Sequence, residues 1–156
     1  MHQYKATIAW TGNTGEGTRS YRAYSRDYDI IVPGRPVLKG SSDPAFRGDP
    51  TRHNPEDLLL AAISACHMLW YLHLAVGAGV VVTDYVDEAV ADMAMNPDGS
   101  GQFVSATLRP RVTIAAGDET VARALHHDAN AKCFIARSMN FPVHHEPVIV
   151  RAEAAA

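Results

Sequence analysis

Residues 54–76 read NPEDLLLAAISACHMLWYLHLAV, and the fold turns on this stretch. Asn54 is a favoured N-cap residue, and Pro55 suits the first helical position, where no N–H is needed. Glu56 and Asp57 put negative charge in the first turn, where the helix dipole favours it. A helix is predicted to about Val76, stopping at Gly77 or Gly79. No residue of fixed charge occurs from Leu58 to Thr83, a length that invites a membrane-spanning reading. Ser64, His67 and His73 within it, and glycines only at its end, favour instead a core helix buried on nearly all sides. A chain of this size can rarely surround a helix, so an oligomer is expected to cover the remaining face.

Upstream, Tyr4, Ala6, Ile8 and Trp10 alternate with polar or small residues, the period of a half-buried strand that ends at the turn GNTGEG. A second strand is predicted from about Arg19 to Arg26 and a short third around Ile30 to Val32. Next comes PGRPVLKGSSDPAFRGDPTRHNP, a long loop dense in Pro, Gly, Ser and Asp, and loops of that kind are usually functional. Downstream, two β-rich stretches, 80–95 and 103–115, are joined by NPDGSG and suggest a meander. Asp118 and Glu119 open a second helix carrying Val121, Leu125 and Ala129, and a shorter helical turn is predicted from Cys133 through Met139. A final strand over 143–150 precedes a tail over 152–156, and Pro147 inside that strand points to a sheet edge. The order of elements predicts an α+β fold, with mostly antiparallel sheet packed on two helices.

The 156 residues suit one domain over 1–156, and 47% hydrophobic with 20% charged residues is a globular composition, not a disordered one. Fourteen Lys and Arg against seventeen Asp and Glu leave a net charge of -3, so nucleic acid is not an expected partner. The opening MHQYKATIAW lacks the basic and apolar regions of a secretory signal, which makes the cytoplasm the expected location. In that setting Cys66 and Cys133, 67 residues apart, are not expected to form a permanent structural bridge.

Cys66 falls on the stripe Leu59, Ala62, Ile63, Cys66, Trp70, where a small buried hydrophobe is one reading and a reactive thiol the other. Cys133 stands at a predicted helix start, where backbone N–H groups can stabilise a thiolate. His126, His127, His144, His145 and the Cys66-His67 pair are residues that zinc accepts, but the chain has no CxxC or HExxH module, so no metal is expected. GNTGEGT lacks the ending of a phosphate-binding loop, and no GxSxG elbow supports a serine hydrolase.

NPEDLLLAAISAC, with a second cysteine in AKCFIARSMNFPV, resembles the OsmC/Ohr family of osmotically inducible and organic-hydroperoxide-resistance proteins. In that family a reactive cysteine follows a Pro-Glu helix start by ten residues and a resolving cysteine lies in the C-terminal third. Here those positions are Glu56, Cys66 and Cys133. The resemblance implies an intertwined homodimer and a thiol peroxidase without metal, haem or flavin. In such an enzyme Cys66 reduces a hydroperoxide and becomes a sulfenic acid, Cys133 condenses with it, and an external dithiol reduces the disulfide. It also implies an arginine paired with the glutamate, for which Arg47 and Arg19 are equal candidates and Arg22 a weaker one. Ten residues put Glu56 about 15 Å along the helix from Cys66. A second subunit whose helix crosses antiparallel near Ala61 and Ala62 is therefore expected to supply that carboxylate. Departures from the family pattern, such as Phe134 where many relatives have proline, leave organic hydroperoxide and hydrogen peroxide both open. A non-catalytic small-molecule or metal-binding dimer on the same scaffold is the alternative.

Overall fold

The predicted long helix forms as α1 (Pro55–Gly77) in a computed structural model that describes residues 1–153. Asn54 is buried and its Oδ1 accepts the Asp57 N–H at 2.8 Å, the N-cap that the sequence predicts. At the other end Gly79 takes φ 68° and the Val80 N–H donates to Ala75 O at 3.0 Å, which closes the helix on its last carbonyls. The chain forms two compact units, Met1–Leu59 and Leu60–Ala156, and α1 begins in the first and continues through the second. Residues 154–156, part of the predicted tail, lie outside the described residues.

In the first unit β1 (Thr7–Trp10), β2 (Tyr28–Ile31) and β3 (Leu38–Gly40) make an antiparallel sheet in that order. The predicted strand over 19–26 does not form. Trp10 pairs with Tyr28, so everything between them is one wide loop. Asn13 Oδ1 accepts from the N–H groups of Gly15 and Gly17, and the loop's two sides are tied by the isolated bridge Asn13–Tyr24 and by the bonds Thr11 N–H to Asp27 O and Ser25 N–H to Gly12 O. Arg26 caps it, lying 4.0 Å over the Tyr24 ring and donating to Tyr21 O and Tyr24 O. Of the short strand predicted around 30–32, Ile30 and Ile31 form the end of β2 and Val32 lies beyond it, and the predicted long loop holds β3 and a 3₁₀ turn over Pro44–Phe46.

That loop is tightly folded around Gly48, where a Cβ would lie 1.5 Å from the backbone oxygen of Ser42. Because a backbone oxygen cannot swing aside, Gly48→Ala is expected to cost roughly 3 kcal/mol or more. A urea midpoint unchanged from the parent would contradict this packing.

In the second unit the stretch predicted as a meander divides differently. β4 (Val81–Asp87), β7 (Pro110–Ala116) and β9 (Val148–Arg151) form one sheet, ordered β4-β7-β9. β5 (Val90–Met95), β6 (Gly101–Leu108) and β8 (Val143–His145) form another, ordered β5-β6-β8. The β4–β7 and β5–β6 pairs are antiparallel, whereas β8 and β9 join as parallel edge strands. The predicted final strand is thus broken at Glu146 and Pro147, where proline cannot donate to a ladder. α2 (Glu119–Lys132) is capped by Asp118, whose side chain accepts the Val121 N–H at 3.0 Å, and α3 (Phe134–Arg137) is a single turn.

The core joins Tyr71 and Ala75 of α1, Val80, Val112 and Ile114 of the β4-β7-β9 region, and Ala122, Leu125 and Ala129 of α2. The arrangement is α+β with mostly antiparallel pairing, as predicted. The burial of α1 differs from prediction. Only Ile63, His67, Tyr71 and Ala75 are buried, one residue per turn, while Leu69 is 61% and Val76 82% exposed. By length and hydropathy α1 would suit a membrane span, but its buried stripe carries His67 and Tyr71 onto α2.

Candidate active site

Cys66 sits half-buried in the middle of α1, and Cys133 is wholly buried where α2 ends and α3 begins. α2 presents Ala122, Leu125, His126 and Ala129 to the interior, and Cys133 continues that face at helical spacing. Both cysteines are free, and the Cys66 thiol lies near enough to Cys133 to act on its ionisation. Burial pushes the Cys133 thiol up to about 11; the Ala136 N–H, 3.4 Å from its sulfur, opposes this, and the Cys66 thiol adds to the rise. The helix start thus does not make Cys133 a thiolate, because its N–H groups are outweighed by desolvation. Cys133 is instead a protonated thiol near Cys66.

Beside the dithiol lies an aromatic surface. Trp70, one turn along α1 from Cys66, meets Phe134 edge-on at 5.6 Å, and Lys132 lies 5.7 Å over the Trp70 ring. Trp70, Ala131, Lys132, Phe134 and Arg137 line a shallow cavity there.

The interior also holds a histidine pair. His67 Nε2 and His126 Nδ1 are 3.0 Å apart, and both rings are all but inaccessible. Burial, with the neighbouring His145, lowers His67 to about 4, and burial with His67 and His145 lowers His126 to about 3. Among the described residues no group of three or more His, Cys, Asp or Glu is arranged to hold a metal ion, and His127 and His144 are exposed.

The remaining predicted site residues belong to the first unit. Glu56 lies in the first turn of α1 with Oε2 buried and without a hydrogen-bond partner. Tyr28 faces it: the Tyr28 hydroxyl is raised by burial and then by the charge of Glu56. Arg19 is exposed in a bend of the wide loop. Arg47 is exposed with φ 67°, ending the 3₁₀ turn. Arg52, four residues before Glu56, is paired with Asp27 at 3.5 Å and Asp49 at 3.8 Å, with Nη1 buried and unpartnered.

The family model for OsmC-like protein matches residues 48–147, which include Glu56, both cysteines and the helices that carry them. The chain belongs to the OsmC-like protein family. No curated protein matches it. An OsmC-like protein of unknown function from Vibrio cholerae is 28% identical, with a TM-score of 0.85, over 95% of this chain and all of that one. An organic hydroperoxide resistance protein from Legionella pneumophila is 15% identical at TM-score 0.65, over 96% of this chain and 98% of that one. Another from Elizabethkingia anophelis is 14% identical at TM-score 0.64, over 97% and 99%. These last two show that the fold is shared.

Within this OsmC-like chain, sequence reasoning missed two features. Arg52 carried a usable signal, since it stands two residues before the N-cap and one helical turn before Glu56. The His67–His126 contact carried none, because 59 residues separate the rings and only the packing of α1 on α2 brings them together.

Proposed function

We propose that this protein is a cysteine-based hydroperoxide reductase. The observation that carries the reading is the nearness of two free thiols from distant parts of the chain, one half-buried and the other buried and protonated. Family membership supports it, as do structural neighbours described as organic hydroperoxide resistance proteins.

In this reading the Cys66 thiolate attacks one peroxide oxygen. The S–O bond forms, the O–O bond breaks, and the leaving alkoxide takes a proton to become an alcohol. Cys133 then attacks the sulfenic sulfur, hydroxide leaves with the Cys133 proton as water, and an external dithiol reduces the disulfide. Trp70 and Phe134 beside the dithiol favour an apolar organic hydroperoxide over hydrogen peroxide. A second copy would cover the exposed face of α1, which includes Ala61, Ala62, Ala65, Leu69 and Val76. Crossing at Ala61, midway between Glu56 and Cys66, it would bring its own Glu56 to the thiol, with an arginine beside it from Arg52, Arg47 or Arg19.

One equivalent of cumene hydroperoxide added to the reduced protein is expected to remove two thiols and leave a Cys66–Cys133 cross-link in the peptide map. Retention of both thiols, or oxidation at methionine alone, would overturn the reading.

A further inference from the structure

Two histidines that share one hydrogen bond inside a protein form a chain with two ends. For His67 and His126 a nitrogen contact of 3.0 Å, ring centroids 5.3 Å apart and planes within 5° describe rings that meet edge to edge. Their outer nitrogens, His67 Nδ1 and His126 Nε2, are buried and meet no protein group. Whichever ring donates the shared bond, its own outer nitrogen is left an acceptor and the other ring's outer nitrogen a donor. A proton that enters at one end and leaves at the other exchanges both tautomers without a charged resting state. Because burial keeps both rings neutral near pH 7, the pair passes a proton and does not store it.

The surroundings give this chain an outlet. His145 of β8 lies 5.9 Å from His67 and 6.2 Å from His126 between ring centroids, is half-buried, and also has a buried unpartnered nitrogen. The exposed His127 of α2 and His144 of β8 face it in turn. Toward the cysteines, Asn130 Oδ1 is buried and unpartnered one turn beyond His126 and three residues before Cys133, and His67 follows Cys66 directly. Of the other polar groups, Tyr71 stacks on His126 at 4.1 Å but spends its hydroxyl on Ala122 O, and the Tyr85 hydroxyl of β4, near Asp87, is buried without a partner. Arg123 of α2 is a cation that acts on His126.

We propose that His67 and His126, linked to solvent through His145, form a proton relay serving the Cys66–Cys133 pair. The proposal rests on the hydroperoxide-reductase reading. The relay takes the proton of the Cys66 thiol before attack and returns one to the alkoxide as the O–O bond breaks. In the second step it takes the Cys133 proton while the disulfide forms and returns one to the departing hydroxide. Protons balance over each step, and the electrons come from the two thiols.

The test is single-turnover disulfide formation with cumene hydroperoxide between pH 6 and 9, in the parent, His126→Gln and His145→Gln, with folding checked by circular dichroism. The relay predicts a loss of about tenfold or more near pH 7 in both variants, shrinking as pH rises and hydroxide takes over the proton. Unchanged rates, or an equal loss at every pH, would overturn it. Should His126→Gln fail to fold, His145→Gln and the solvent deuterium dependence of the parent decide: a curved proton inventory supports several protons in flight, and a linear one overturns the relay. A parent that forms no Cys66–Cys133 disulfide would instead overturn the reductase reading.

Discussion

Cys66→Ser is expected to reduce hydroperoxide consumption by roughly a thousandfold or more, the scale on which enzymes lose rate with their nucleophile. Serine keeps the size of the side chain and its place in α1, so the fold should survive. It cannot supply a thiolate, whose polarisable sulfur accepts oxygen from a peroxide. Cys133→Ser should behave differently: the first oxidation proceeds, no intramolecular disulfide closes, and turnover stops after one equivalent, with a sulfenic acid trappable at Cys66. Consumption measured with excess dithiol separates the cases. Full turnover in Cys66→Ser would defeat the assignment, and full turnover in Cys133→Ser would show that the buried thiol does not resolve the intermediate.

Acid is expected to destabilise the fold steeply, with the loss beginning above the range in which carboxylates titrate. His67 and His126 are held neutral at about 4 and about 3, chiefly by burial, against an ordinary 6.5. The unfolded chain therefore binds more protons than the native one as pH falls through 6.5. The native state has its full stability above pH 6.5 and loses it progressively toward the folded-state values. Each tenfold difference in proton affinity between the two states is worth ~1.36 kcal/mol, so by pH 4 each ring should account for about 3 kcal/mol of lost stability. Native domains have only about 5–15 kcal/mol in hand, so unfolding should set in between pH 5 and 4. Asp49 and Asp98, both lowered by hydrogen bonds to neighbouring hydroxyl-bearing residues, act only at lower pH. Urea midpoints measured from pH 7 to 4 test this, and a flat profile between 6.5 and 4.5 would show that the pair is solvated or already charged.

Legibility differed by the range of the forces involved. Caps were read correctly, because Asn54 with Pro55, Asp118 with Glu119, and the glycines after Val76 act on backbone within one turn of themselves. The strand predicted over 19–26 failed although its alternation was sound, since a strand exists only when a neighbour pairs with it, and Trp10 found Tyr28 instead. The same reason divides 80–116 into strands of two different sheets. Arg47 and Arg19 were chosen by spacing; that Arg52 pairs with Asp27 and Asp49 was not legible, because those carboxylates reach it only when the chain folds back.

By itself the sequence determined the fold class, the long apolar helix with its two ends, the family, and the places of both cysteines along the chain, all of which local backbone chemistry and residue spacing encode. Only the tertiary structure decided that Cys66 and Cys133 come near one another, that burial keeps Cys133 protonated, and that His67 meets His126. Each of these depends on which surfaces lose water together, and that is a property of packed elements, not of neighbours along the chain.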